Sequence, residues 1–270
     1  MENVSSLSTV VRRRGVRVSV VITSHNEAKS LPYVLQLIPS CVNEVILADD
    51  YSMDGTVEIA RRSLPMIRVV HTEQKRGKGA ALQKGFAAAT GDIIVMMDGD
   101  GSKDPREIPY LIEALLAGAY LVNGSRFMYK GGSAVMTPVH RLGFRVLVSI
   151  ANRLFHMHLT DTLSGFNAFW RDCLDYFEID CDGFEAEALI TLRMRKANLA
   201  IVEVPSYEHP CIYSDSHPHI FRGGWRVLKL MLREWMKGQT VTREIRMRYL
   251  DQEYISMNGH GIPDQISALQ

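Results

Sequence analysis

Four apolar runs rich in β-branched residues, at residues 16–23, 45–48, 67–70 and 93–97, alternate with stretches of helical periodicity at about 31–38, 54–64, 79–89 and 105–117. That alternation asks for βαβ crossovers and a parallel sheet, and so for an α/β fold. A further run, Leu121-Val122, closes the series before Asn123-Gly124-Ser125-Arg126. In such sheets ligands sit at the carboxyl ends of the strands. The polar clusters fall there: Ser24-His25-Asn26-Glu27, Asp49-Asp50 and Asp98-Gly99-Asp100-Gly101-Ser102.

The third cluster is the most informative. Two carboxylates spaced i, i+2 at the end of an extended strand project to one side. Gly99 and Gly101 put no side chain between or beside them. Paired hard oxygens suit Mg²⁺ or Mn²⁺, and such an ion could bridge to the phosphates of a nucleotide. Asp49 and Asp50 are placed to accept from a base N–H or from ribose hydroxyls, while Asp54 is the expected helix cap. Lys75-Arg76-Gly77-Lys78-Gly79 is a basic, glycine-containing loop leading into a helix, and with Lys78 it could hold a diphosphate. The chain has no Walker loop, and no Gly-x-Gly-x-x-Gly follows its first strand, which argues against a dinucleotide.

At 270 residues the chain can bury one large core or two small ones. A formal charge of +1 predicts no bulk attraction to nucleic acid. The charge is uneven, however. Residues 222–248 carry eight Lys/Arg against Glu234 and Glu244, which reads as a solvated helix face or as a peripheral membrane contact. The most apolar long stretch, 138–159, is broken by Arg141, Arg145, Asn152 and Arg153 and cannot span a bilayer as it stands. Cysteines 41, 173, 181 and 211 show no Cys-x-x-Cys spacing, and no signal-peptide core precedes Arg12-Arg13-Arg14; a cytoplasmic protein with free thiols fits. The second half reads as helices at 138–155 and 185–197, a strand at 201–204 stopped by Pro205, and a last helix carrying Trp225, Leu228, Met231, Leu232 and Trp235 on one face.

The motifs Thr23-Ser24-His25-Asn26-Glu27, Ala48-Asp49-Asp50-Tyr51-Ser52-Met53-Asp54-Gly55-Thr56, Arg76-Gly77-Lys78-Gly79 and Met97-Asp98-Gly99-Asp100 resemble, in order and spacing, the family 2 glycosyltransferases of GT-A fold. Gly124-Ser125-Arg126, Leu163-Ser164-Gly165-Phe166, Val202-Glu203-Val204-Pro205 and Phe221-Arg222-Gly223-Gly224-Trp225-Arg226 are similar to the polyprenyl-phosphate (dolichol-phosphate) mannosyltransferase branch. The resemblance implies a mostly parallel, mixed sheet flanked by helices over residues 16–237. A tail at 1–15 would precede it, and a partly disordered extension at 238–270 would follow. It also implies transfer of a sugar from a GDP-mannose-like donor or a UDP-sugar to a polyprenyl phosphate or small acceptor, with inversion. Ser24, Asn26, Glu27, Asp49, Asp50, Lys78, Asp98 and Gly99 would contact the donor, and Arg126, Arg141 and Arg222 match positions that face phosphates. Tyr51 stands where the family often has a small residue. Ser214-Asp215-Ser216-His217-Pro218-His219 departs from a loop that usually carries Gly and Asn, and His217 or His219 could complete the Asp98/Asp100 metal site.

Asp100 and Arg126 are then expected to help neutralise the departing diphosphate, and Glu185 or Glu187 to act as base for an acceptor hydroxyl. Two residues apart at a helix start, those glutamates cannot share one face, so one at most should reach the site. Two other classes stay open: a mutase or isomerase that rearranges the nucleotide sugar itself, and a non-catalytic nucleotide-sugar binding module. Whether the chain forms a homodimer also stays open.

Overall fold

A computed structural model describes residues 15–213 and 220–238; residues 1–14, 214–219 and 239–270, with the expected tail, His217, His219 and most of the expected extension, lie outside the described set. The first half forms β1 (Val18–Ser24), α1 (Leu31–Gln36), β2 (Glu44–Asp49), α2 (Thr56–Ser63), β3 (Arg68–His71), α3 (Lys78–Ala88) and β4 (Ile93–Asp98). Each expected strand in this half forms within two residues of its anticipated ends. The helix expected from Pro105 instead opens as a 3₁₀ turn, Pro105–Glu107, before α4 (Ile108–Leu116). Proline at 105 and again at 109 removes two donors, and Asp104 accepts from the Arg106 amide, so the entry is a tight capped turn.

The chain continues through β5 (Leu121–Ser125), β6 (Gly132–Ser133), α5 (Pro138–Phe155), β7 (Asn167–Trp170), α6 (Ala186–Lys196), β8 (Ile201–Pro205), β9 (Tyr207–Glu208) and α7 (Ile220–Met236). The main sheet runs β3-β2-β1-β4-β7-β5-β8, and β6 and β9 pair separately. Only β7 is antiparallel to its neighbours, β4 and β5. Val20, Val21, Ile22, Ile46, Leu47, Ile93, Ile94, Val95 and Met96 have no exposed surface. Such continuous apolar strands are the mark of a sheet covered on both faces.

The order β3-β2-β1-β4 means the chain winds outward from β1 to β2 and β3, then returns to place β4 on the other side of β1. A crevice must open at the carboxyl ends of β1 and β4, where the winding reverses. Register fixes what lies there: Thr23 pairs with Asp98, and Ser24 with Asp49.

Behind this sheet, α5, α6 and α7 share an apolar cluster that includes Ala151, Phe155, Leu189, Leu192, Val227 and Met231. Glu234, 1% exposed, fastens α7 to α6 by ion pairs to Arg193 and Lys196. The apolar face expected for this helix is divided. Val227, Leu230 and Met231 are buried, whereas Trp225, Leu232 and Trp235 are exposed. The buried stripe is narrower because α7 meets its neighbours along 223, 227, 230, 231 and 234. No helix among the described residues is long and apolar enough to cross a membrane.

The start of α3 is pressed against the chain leading into α6: the Gly79 amide donates to the Asp182 carbonyl at 2.8 Å. A Cβ on Gly79 would overlap the Cys181 carbonyl oxygen, which is backbone and cannot swing aside. We therefore expect Gly79→Ala to destabilise the protein by about 1–3 kcal/mol in urea unfolding, and an unchanged midpoint would contradict this packing.

Candidate active site

A cleft of about 330 Å³ lies at the switch point, lined by Thr23, Ser24, His25, Glu27, Asp50, Lys75, Lys78, Ala81, Asp98, Gly99, Asp100 and Cys211. Seven residues expected from sequence are in this wall: Ser24, Glu27, Asp50, Lys78, Asp98, Gly99 and Asp100. Asp98 ends β4, and its Oδ1 accepts from the Thr23 hydroxyl on β1 at 2.7 Å. Asp100 follows in a turn where its Oδ1 accepts from the Ser102 amide. Gly101 takes φ +80°, and a Cβ there would strike Ile212. The segment after β9 thus lies directly on the acidic turn, with the Ile212 amide bonded to the Asp100 carbonyl and the Cys211 thiol 3.1 Å from Asp100 Oδ2.

Electrostatics single out this turn. Burial, with the carboxylates of Asp100 and Asp98 facing it, pushes Glu27 up to about 7 even though Ser30 donates to it. Three carboxyl groups converging on one cleft are the arrangement a divalent cation would relieve. Among the described residues, no three His, Cys, Asp or Glu side chains form a ready metal cage. Asp98 and Asp100 present paired hard oxygens of the kind that fits a divalent cation.

Lys78, at the first position of α3, reaches into the same space. Its Nζ lies 2.5 Å from Asp98 Oδ1 and 2.5 Å from Glu187 Oε1. Burial alone would lower its pKa, but the two carboxylates hold the ammonium above the ordinary lysine range. Lys75 sits at the cleft mouth, 2.8 Å from His25 Nε2, and His25 Nδ1 lies 2.7 Å from the Asp50 carbonyl. With Lys75 donating to Nε2, His25 carries its proton on Nδ1.

Other expected roles change. Asp49 is 3% exposed and accepts from Ser24, the Ser52 amide and the Ser52 hydroxyl, so it builds the turn after β2 and does not line the cleft. Asp50 does line it, yet it also accepts from Thr72, the Arg76 amide and the Gly77 amide. It anchors the basic loop. Asn26 is exposed, holds the Met53 amide and stays outside the cleft wall. The N-cap of α2 is Gly55 and not Asp54, which sits one residue earlier and accepts from the Thr56 and Ala28 amides, tying the helix start to the segment before α1.

Glu185 and Glu187 are both buried and neither lines the cleft. Glu185 pairs with Arg226 through Oε1, while Glu187 is fixed by Lys78. Glu187 alone of the two meets a cleft residue, as a partner for Lys78. A base role for either finds no support in this wall. Arg141 is exposed on α5 and outside the cleft, and the Arg222 side chain is not among the described ones.

Arg126 is the clearest correction. Its side chain is 6% exposed and paired with Asp161 at 2.7 Å and Glu208 at 3.0 Å, with a further bond to the Leu163 carbonyl. These bonds use most of its five donors. Lys103, 1% exposed, meets the same Glu208 at 3.3 Å. Despite burial, Lys103 and Arg126 hold the Glu208 carboxyl down to about 2. The guanidinium is a brace between β5, the 161–163 segment and β9, and is not free for phosphate or for catalysis. Removing one partner of a buried pair leaves an uncompensated charge, so Arg126→Met should lower unfolding stability by about 3–5 kcal/mol. A variant of unchanged stability that binds nucleotide more weakly would restore the phosphate role.

The cleft residues that sequence reasoning did not single out are Thr23, His25, Lys75, Ala81 and Cys211. Thr23, His25 and Lys75 were inside motifs already noted, whereas Cys211 arrives from a distant segment. A glycosyl transferase family 2 model matches residues 19–177. The undecaprenyl-phosphate mannosyltransferase of Micrococcus luteus is 34% identical over 202 residues, covering 70% of this chain and 82% of that protein. The polyprenol monophosphomannose synthase of Mycolicibacterium smegmatis is 31% identical over 202 residues, covering 70% and 76%. A glucosyl-3-phosphoglycerate synthase from Mycobacterium tuberculosis, solved with Mn²⁺, UDP-glucose and phosphoglyceric acid, superposes with a TM-score of 0.69 at 26% identity over 86% of this chain and 84% of that one. Nothing in these relatives supports rearrangement of the donor itself. Shared sequence over most of both lengths, joined to a shared fold, puts the chain in glycosyl transferase family 2, and it is a glycosyltransferase.

Proposed function

We propose that this glycosyltransferase moves a hexosyl group from GDP-mannose or a UDP-sugar to a polyprenyl phosphate, with Asp98 and Asp100 holding Mn²⁺ or Mg²⁺ beneath the donor diphosphate. The observation that carries the reading is the placement of both aspartates in the switch-point cleft, Asp98 tied by register to Thr23. The cation would supply Lewis-acid stabilisation of the leaving diphosphate. Lys78 and Lys75 stand in the same cleft as donors to phosphate oxygens, and Asp50 holds the loop that presents them. In a single displacement, an acceptor oxygen bonds to the anomeric carbon as its bond to the diphosphate breaks, and the nucleotide leaves with the electron pair. A phosphate acceptor arrives ionised and needs no proton removed. That fits the burial of Glu185 and the capture of Glu187 by Lys78. The acceptors named for the two mannosyl-transferring relatives favour the same choice.

A lipid-linked acceptor must be met at a membrane surface, and the apolar residues left uncovered suit that task. On α5, Val139, Leu142 and Val146 are more than half exposed. On α7, Trp225, Leu232 and Trp235 form an exposed stripe at helical spacing beside the exposed bases Arg226 and Lys229. The protein would work at the cytoplasmic face, where its four free thiols stay reduced.

Calorimetry with GDP and UDP in the presence of Mn²⁺ tests the donor site. Asp98→Ala and Asp100→Ala should each abolish the metal-dependent part of nucleotide binding while circular dichroism stays native, and unchanged affinity in both variants would sink the assignment. For the surface, the parent should co-sediment with vesicles containing anionic lipid. A Trp225→Glu/Trp235→Glu variant should remain in the supernatant. A parent that never sediments removes the membrane contact.

A further inference from the structure

Lys78 occupies a peculiar position. It lies between the carboxylate read above as a metal ligand and a buried glutamate that does not itself line the cleft. Its side chain is 17% exposed, Glu187 is 7% exposed, and both ion pairs measure 2.5 Å. The surroundings are built closely around this triad. Gly165, at φ +68°, roofs it: a Cβ there would stand 2.8 Å from Glu187 Oε1, 3.1 Å from Asp98 Oδ2 and 3.1 Å from Lys78 Nζ. Gly77 and Gly79 let the start of α3 close onto the backbone at 181–182 that leads into α6. Lys78 on one helix and Glu187 on the other are brought together by those contacts.

Among the described residues the Glu187 carboxylate is hydrogen-bonded by the Lys78 ammonium, with the Arg126 charge as a weaker, more distant compensation for its burial. The ammonium in turn lies on Asp98 Oδ1. A divalent cation entering against Asp98 would therefore meet a positive charge already bound to the same carboxylate, in surroundings of reduced dielectric where such repulsion is strong. An anionic diphosphate changes that balance, since it can accept from Lys78 and bridge to the cation together.

We infer that Lys78 is a resident counter-ion which competes with the metal for Asp98, so that metal and nucleoside diphosphate favour each other's binding through this side chain. Glu187 is its positioning residue. The inference rests on the assignment of Asp98 as a metal ligand. Coupling between two ligands is reciprocal, and factors of about 5–150 are typical. Two binding equilibria expose it without any turnover.

The first is Mn²⁺ binding with no nucleotide, followed by the loss of the free-ion electron paramagnetic resonance signal. Lys78→Met should bind Mn²⁺ at least about fivefold tighter than the parent. The second is the affinity for GDP and UDP with and without Mn²⁺, by equilibrium dialysis. The factor by which Mn²⁺ tightens nucleotide should shrink in the variant. Where Lys78→Met leaves Glu187 without its ammonium and fails to fold, Lys78→Met/Glu187→Gln removes the ammonium together with its buried partner and should show the same two changes. Metal binding that is no tighter in a folded variant, with nucleotide affinity still Mn²⁺-dependent in the parent, overturns this inference alone. Nucleotide affinity indifferent to Mn²⁺ in the parent removes the proposed metal site and this inference with it.

Discussion

The register between β1 and β4 is the constraint on which the rest depends. It sets Thr23 opposite Asp98 at the strand ends, where the winding of the sheet reverses. A shift of β4 by one residue would turn Asp98 to the other face of the sheet, and a shift of β1 would do the same to Thr23. Fully buried neighbours on both strands prevent that slip, because every Val, Ile and Met from Val20 to Ile22 and from Ile93 to Met96 would have to move with it. Hydrophobic packing of the strands is thus what aims the polar group.

Concentrating carboxylates in one place carries an electrostatic penalty, and the surrounding residues divide it. Lys78 pairs with both Asp98 and Glu187 and offsets part of their charge. Glu27 is pushed toward its neutral form. Asp49 and Asp50 are satisfied by backbone amides and hydroxyls from their own turn and from the basic loop. A second network, Arg126 with Asp161 and Glu208 and Lys103 with Glu208, holds the lower side of the site. These groups differ in role: Glu27, Asp50, Lys78 and Asp98 line the cleft with Asp49 and Glu187 buried beside them, and the second network braces the segments around it.

Much of this was readable along the chain. The strands of the first half appear as short apolar runs because a doubly covered parallel sheet leaves them no polar face, and the strand-end clusters follow directly. Asp98 and Asp100 were identifiable because their spacing and glycine neighbours are local properties. The helix at 138–155 was found with its ends intact, since Thr137 caps it and Pro138 starts it. The apolar face expected on α7 is only half buried. Periodicity reveals that a face is apolar, but neighbouring helices decide which part of it is covered.

The sequence by itself determined an α/β chain with acidic strand ends and a basic loop, because strand length, period and turn residues are encoded within a few positions of one another. Tertiary structure alone decided which charges are free. Arg126 and Asp161 are 35 residues apart, Lys78 and Glu187 are 109 apart, and Cys211 meets Asp100 across 111. A buried ion pair leaves no periodic trace, for its partners are chosen by how the layers close and by the need to leave no charge unmatched inside.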